Sequence, residues 1–466
     1  MGIFSPRVRG GDYFSRALTA IVVSLLGVCA VFVALSFVHG PKLESAIVDS
    51  ERVVTAPNQQ LRLFANQAVS DVDPEQVEIS PAAPFSVMVE NDIIQIQFTG
   101  LLAFDTDYTV TVTGVTSRYQ DRESDFRHAF TTSPGVFTYL DRADPARPGQ
   151  RDRIVNIGVS GDERQTIFEA ERIQDFVMFP GAVAVVTLGE DGAGSLSVVS
   201  LADRATQSLG VPRNVTLDAL GSAPDSGILA FTVTSLDRNA PEYTDTLFTV
   251  DLEGAPDAAP VVGLDGTPLE VLDWNFVSAG GAAVARTVDE TILQLDLADG
   301  TPATPLGSYT DLITVAPDGG EIVVADTYGA IALSLSTGEE RRLPTPPIDG
   351  VPTFGGDIEL LGNAQGRLQQ VAILDEETGR FVSFVVVTDG EIVRILYESP
   401  DGKGSIEDFA VSPNGQYVAI TVIPNVSTSV ADGYAVDPRS TSISSIVVEI
   451  ATGAVVRSVE GFGVEW

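Results

Sequence analysis

Most active sites are built from histidine, cysteine or paired acids, and this chain is poor in the first two. It has two histidines, His39 and His128, and one cysteine, Cys29. A single cysteine forms neither an intramolecular disulfide nor a cysteine zinc cluster. Two histidines leave little for a histidine metal centre or for histidine acid–base work. None lies beyond residue 128, so residues 135–466 hold no Ser-His-Asp triad. Carboxylates are abundant, with Asp+Glu 64 against Lys+Arg 27 and a net charge of −37. Glycoside hydrolysis needs only two carboxylates, so this abundance singles out no pair. Calcium is the metal that suits oxygen-only ligands. The turns Glu190-Asp191-Gly192, Asp318-Gly319 and Asp401-Gly402 could offer them. None has the D-x-D-x-D-G spacing, and an Asp before Gly ordinarily builds its own turn. The residues therefore assign no catalytic, cofactor or metal position.

Other features bear on binding. Arg341 and Arg342 form a basic doublet, which is ordinarily solvated. Trp274 and Trp466 could line a sugar or peptide site, although strand packing is the plainer role. Residues Pro424 to Thr441 make a long Ser/Asp/Gly/Pro loop, the best regional candidate for a contact. The negative charge repels nucleic acid, which needs cationic neutralisation of its phosphates, and disfavours lying on anionic lipid.

The elements that must carry these residues begin with an anchor. Residues 17–38 hold no charged side chain. As a helix these 22 residues would run about 33 Å, enough for a hydrocarbon core of roughly 30 Å. Arg7, Arg9 and Arg16 precede the run, which places residues 1–16 in the cytoplasm and the remainder outside. The competing reading is a cleaved signal peptide with a small-x-small site at Ala34-Leu35-Ser36, but signal cores are shorter. Leu26-Gly27-Val28-Cys29 is only a loose lipobox. Cys29 reads as a small apolar residue of the helix, and His39 as an interfacial one.

Residues 41–134 alternate apolar and polar side chains, as in Ile94-Gln95-Ile96-Gln97-Phe98 and Tyr108-Thr109-Val110-Thr111-Val112. That period means half-buried antiparallel strands, and Pro, Asn and Gly separate them at the spacing of a β-sandwich. The stretch Leu101 to Val112, with Phe130-Thr131-Thr132 after it, resembles bacterial Ig-like domains of cell-envelope proteins over residues 43–133. The resemblance implies a sandwich, commonly a spacer. It departs from the family at Asp121-Arg122-Glu123-Ser124-Asp125, where a D-x-A-G-N turn is usual.

Residues 135–466 repeat. Strands ending in Pro-Asp/Asn-Gly or a relative recur at Pro180, Pro224, Pro317 and Pro413, with further copies at Trp274–Gly280 and near Val351–Gly356. Each is followed by an apolar strand, then two more. From Pro180 to Pro224 is 44 residues. A period of about 40–50 residues with four strands is the signature of a β-propeller. Six units are complete. The first strand of a seventh ends the chain at Gly461–Trp466, and its missing strands fit Gly135–Leu140, Ile154–Val159 and Gln165–Glu169. Seven blades closed by strands from both ends of the domain are expected, with six or eight as the alternatives, because closure removes unpaired edges. The turns at 223–226, 316–319 and 412–415 resemble TolB-like and WD40-like propeller repeats, which implies mainly protein or ligand binding, with some members being enzyme domains.

The sequence thus predicts an all-β protein with one transmembrane helix, an Ig-like sandwich and a propeller. It favours a membrane-anchored, extracytoplasmic binding or scaffold protein that presents the propeller to an envelope protein, peptide or glycan. The alternatives are a carbohydrate-active enzyme using carboxylates in the propeller funnel, and a passive spacer.

Overall fold

The computed structural model describes residues 11–36, 40–147, 149–161, 163–254, 256–278, 280–298, 300, 302–362, 366–389 and 392–466; of residues 11–15, 29–36, 120 and 401 it describes the backbone only. The chain divides into two compact units, Met1–Ser133 and Pro134–Trp466.

In the first unit, Gly11–Ser36 form one α-helix, α1. Its described side chains include Leu18, Ile21, Val22, Leu25 and Leu26, all exposed. Among the described residues no helix is long and apolar enough to cross a membrane. The membrane-crossing span 17–38 expected from the sequence is thus not found among the described residues. Phe37, Val38 and His39 lie outside the described residues, as does the side chain of Cys29.

The same unit holds seven strands: β1 (Leu43–Ile47), β2 (Gln60–Ala65), β3 (Val77–Ser80), β4 (Phe85–Glu90), β5 (Ile93–Phe98), β6 (Asp107–Ser117) and β7 (Gln120–Thr131). They make two antiparallel sheets, ordered β1-β2-β5-β4 and β3-β6-β7. Alternation does the work the sequence promised. Leu61 and Leu63 pair with Ile96 and Ile94, and all four are buried. The rings of Phe98 and Phe130 meet across the sheets at 6.3 Å.

The second unit is a seven-bladed propeller. Blade 1 runs Ile173–Phe179, Ala182–Leu188, Gly194–Ser200, Thr206–Ser208. Blades 2 to 6 repeat that order, with inner strands Val215–Ala223, Val271–Phe276, Asp311–Val315, Phe354–Leu360 and Ser405–Val411. Blade 7 is composite. Its inner strand Phe462–Glu465 pairs with Val136–Asp141, Leu140 opposite Phe462, and Asp152–Gly158 and Arg164–Ala170 complete it. Gly461, at φ +138, leads into this pairing, and a Cβ there would meet the Leu140 carbonyl oxygen at 2.5 Å. No other residue type turns so close to a neighbouring backbone without strain.

The ring is closed by apolar packing at every blade boundary. Leu229, Phe231 and Val233 of blade 2 lie against Ala184 and Val186 of blade 1. Phe176 and Val185 of blade 1 lie against Leu140, Ile154 and Phe462 of blade 7. Equivalent clusters join blades 2–3, 3–4, 4–5, 5–6 and 6–7. Second strands are covered on both faces, so they are continuously apolar: Val183, Ala184, Val185 and Val186 are all fully buried. Outer strands such as Thr206–Ser208 are exposed and polar.

Candidate functional site

The innermost strands line the central channel, and each carries a carboxylate. Blade by blade they are Asp175, Asp218, Asp273, Asp311, Asp357 with Glu359, Glu407 with Asp408, and Glu465. Every inner strand also breaks register with its partner: at Ile173/Asp175, Asp218/Gly221, Val271/Asp273, Leu312/Thr314, Gly355/Ile358, Ile406/Asp408 and Phe462/Glu465. Six of the seven breaks fall on or beside the carboxylate. A bulge re-aims one side chain out of the strand's alternation, which lets an acid sit beside the buried residues of the same strand.

These acids tie blade to blade. Asp175 accepts hydrogen bonds from the amides of Phe176 (2.8 Å) and of Leu220 in blade 2 (3.0 Å). Glu359 accepts from the Thr314 hydroxyl of blade 4 at 3.2 Å. Arg286 pairs with Asp273 at 2.5 Å and with Asp311 of blade 4 at 3.5 Å. Asp357 and Asp408 are exposed although they stand on inner strands, so water reaches the channel.

Enclosure by protein and mutual repulsion raise several of the channel carboxyls. Asp175 keeps some solvent contact yet is surrounded by protein. That desolvation pushes its pKa up to about 7, opposed by the two amides and reinforced by Asp218 and Asp437. Glu359 is likewise pushed to about 7 by burial, with Asp408 and Asp357 adding to it. Glu465 reaches about 7 through burial and the charge of Asp175. Asp218, Asp357 and Asp408 are raised as well, chiefly because the surrounding protein displaces part of their water even where the side chain still touches solvent.

The 424–441 loop of blade 6 lies across the seam between blades 7 and 1. Arg142, after the second strand of blade 7, donates to Asp432 at 2.7 Å in a pair that is 3% exposed on both sides. The same guanidinium stands 3.8 Å over the Tyr434 ring and 4.9 Å over Phe462. Tyr434 donates to the Asp152 carboxylate. Burial first and that hydrogen bond second raise its hydroxyl pKa. Gln174, beside Asp175, donates to the Val436 carbonyl at 3.2 Å. Asp437 and Arg439, paired at 2.6 Å, belong to this loop, and both act electrostatically on Asp218. The regional candidate from the sequence therefore lies against the chain's own seam.

The remaining sequence candidates are placed as follows. The Asp191 and Asp318 carboxylates accept from the amides of Ala193 and Gly320 within their own turns. The side chain of Asp401 lies outside the described residues. Among the described residues no group of three or more His, Cys, Asp or Glu side chains is placed to hold a metal ion. Arg341 and Arg342 pair with Glu321 at 2.9 Å and Asp326 at 2.5 Å on the outer strand of blade 4. Trp274 is buried against Phe276. Trp466 stacks on Tyr417 and donates to the Ala410 carbonyl at 3.1 Å, joining blade 7 to blade 6. His128 lies on the half-buried face of β7 beside Phe130, and burial lowers its pKa.

The channel acids were not singled out in the sequence. A signal existed: an acid stands five or six residues before the turn proline in Asp175/Pro180, Asp218/Pro224, Asp311/Pro317 and Asp408/Pro413.

Four cavities of the propeller, about 500, 550, 390 and 220 Å³, lie at the 4–5, 6–7 and 2–3 boundaries, the last two both at 2–3. None of the four is lined by an inner-strand carboxylate.

No family model matches the chain, and no curated protein matches it. Among solved structures it is similar to dihydro-heme d1 dehydrogenase NirN, with 11% identity over 71% of this chain and 74% of that one and a TM-score of 0.40. It is also similar to a 6-phosphogluconolactonase-like protein of Bacteroides uniformis, with 13% identity over 71% of this chain and 99% of that one and a TM-score of 0.41. A counterpart from Bacteroides fragilis gives 15% identity, 70% and 94% coverage and a TM-score of 0.40. Likenesses this remote carry no functional argument. The propeller assignment rests on the sheet order and the closed ring.

Proposed function

We propose that this chain is a single-pass, membrane-anchored binding and scaffold protein that offers its propeller to an envelope protein, peptide or glycan. The uncharged run 17–38, the arginines before it and the exposed apolar face of α1 support the anchor, with residues 1–16 in the cytoplasm and 41–466 outside. The sandwich supports an Ig-like spacer. Its strand order is that of the constant-type Ig fold, and the buried Tyr108 near the start of β6 accepts from the Ala103 amide at 3.1 Å, as in a tyrosine corner.

One observation favours binding over bond-making. The channel acids Asp175, Glu359 and Asp311 are engaged in blade-to-blade hydrogen bonds and an ion pair, and Asp273 pairs with Arg286 within blade 3. A catalytic pair would instead be free and face a substrate cavity. Pull-down with the full chain in detergent, against cross-linked envelope extract, tests the reading. A discrete partner retained after stringent washing supports it, and empty beads leave the spacer. Protease added to intact cells tests topology: digestion of the propeller only after lysis overturns the orientation.

A second reading has one observation behind it. Carboxyls held near pH 7, as at Asp175, Glu359 and Glu465, suit general acids at neutral pH. Hydrolysis of envelope glycans by the chain, lost in Asp175→Asn, would favour the carbohydrate-active enzyme.

A further inference from the structure

Charge is unevenly spread around the ring. Residues 239–340, which run from the third strand of blade 2 to the outer strand of blade 4, hold 18 Asp and Glu but a single base, Arg286. That base is already committed to Asp273, Asp311 and the Thr310 carbonyl. The rest of the propeller carries its arginines interspersed with its acids, for example Arg142, Arg153 and Arg172 before this arc and Arg342, Arg367 and Arg439 after it.

Within the acidic arc lies an outer groove with an apolar floor. It is a cavity of about 390 Å³ between blades 2 and 3, floored by Leu264, Pro268, Leu269, Val288 and Leu293. Its charged lining is Asp265, Glu270 and Asp289, with no lysine or arginine. Leu264 and Val288 are 60% and 61% exposed, and Val262 beside them is 55% exposed. A smaller dent of about 220 Å³, lined by Pro260, Val262, Leu295 and Leu297, follows on the same strands. Exposed aliphatic side chains gathered in one groove and rimmed by polar groups mark an interaction surface.

We propose that the groove between blades 2 and 3 docks an extended polypeptide segment in which one large apolar side chain is flanked by lysines or arginines. The apolar residue seats between Leu264 and Val288, and the cations meet Asp265, Glu270 and Asp289. Two of these acids stay ionised across the ordinary pH range. Hydrogen bonds from Thr267 hold Asp265 below the usual carboxylate range, and the Thr287 hydroxyl does the same for Asp289. An anionic partner is excluded by repulsion over the whole arc, and a purely cationic one would leave the apolar floor in water. The inference deepens the binding reading by naming the partner's chemistry.

The test is fluorescence anisotropy with the full chain in detergent and three labelled heptapeptides. One has a central leucine flanked by two arginines on each side, one has serine in place of that leucine, and one has glutamates in place of the arginines. The leucine–arginine peptide should bind about tenfold more tightly than the serine peptide, the worth of burying one such side chain. Its affinity should fall between 50 and 500 mM salt, and the glutamate peptide should not bind. Leu264→Ser with Val288→Ser should reduce the leucine–arginine peptide to the serine level. Leu374→Ser with Phe381→Ser, an exposed pair on blade 5, should change nothing. Should the first pair lower the Tm, Glu270→Lys on the exposed rim reads the same site and should weaken binding about tenfold. Equal affinity for the leucine and serine peptides, or groove variants that bind like wild type, would overturn the proposal. A pull-down partner captured equally by wild type and by the Leu264/Val288 variant would leave the scaffold reading standing and remove this surface from it.

Discussion

Asp175, Glu359 and Glu465 are each held near pH 7, whereas carboxyls of an unfolded chain titrate near 4. Between those values the folded propeller keeps protons that the unfolded chain has released. Stability therefore falls as pH rises from about 4 to about 7, and the loss is complete above 7. The exposed carboxylates with lowered pKa, Asp326 among them, act in the opposite direction but only below about pH 4. Both tryptophans, Trp274 and Trp466, belong to the propeller, so their fluorescence follows its unfolding alone. The Tm read this way should be about 5 °C higher at pH 5 than at pH 8. Asp175→Asn, Glu359→Gln and Glu465→Gln combined should flatten most of that slope; an unchanged slope would show that other groups set it. In the sandwich, Tyr108→Phe removes the acceptor for the Ala103 amide and should cost about 1 kcal/mol, read by urea unfolding in circular dichroism. Little of the channel was legible at this scale. Acids are too common here for type alone to mark them, and each bulge is set by the pairing of two strands.

Among the elements, the 424–441 loop has the clearest mechanical role. Its Asp432 meets Arg142 in a nearly dry pair, and the guanidinium lies against the Tyr434 and Phe462 rings. Removing one partner strands a buried charge. Asp432→Ala should therefore cost roughly 3–5 kcal/mol, and Arg142→Met with Asp432→Leu markedly less than either single change. A double-mutant cycle from denaturant midpoints measures the coupling. The strands themselves were readable because their causes are local: period-two burial in β2 and β5, and Pro-Asp-Gly turns between first and second strands. The loop's partners were not readable, since Arg142 and Asp432 are 290 residues apart. A segment rich in Ser and Asp looks the same whether it faces a ligand or its own seam.

At the scale of the whole molecule, the composite seventh blade is the feature on which the ring depends. It was foreseeable because six complete repeats left one strand over at the end and three at the start of the domain. Deleting residues 461–466 removes Phe462 and Trp466 from two blade boundaries and should destabilise the propeller by of order 5 kcal/mol. Limited proteolysis should then cut first in blade 7, between residues 136 and 170; a cleavage pattern like that of the intact chain would mean the ring holds without its closing strand. The arrangement also fixes an order of events in the cell. As the chain emerges from its N-terminal to its C-terminal end, blades 1 to 6 can assemble in turn, but the strand that welcomes Phe462 waits from the moment residue 136 emerges. More than three hundred residues separate the two partners, so the waiting edge stays open to a stranger's strand until Phe462 arrives.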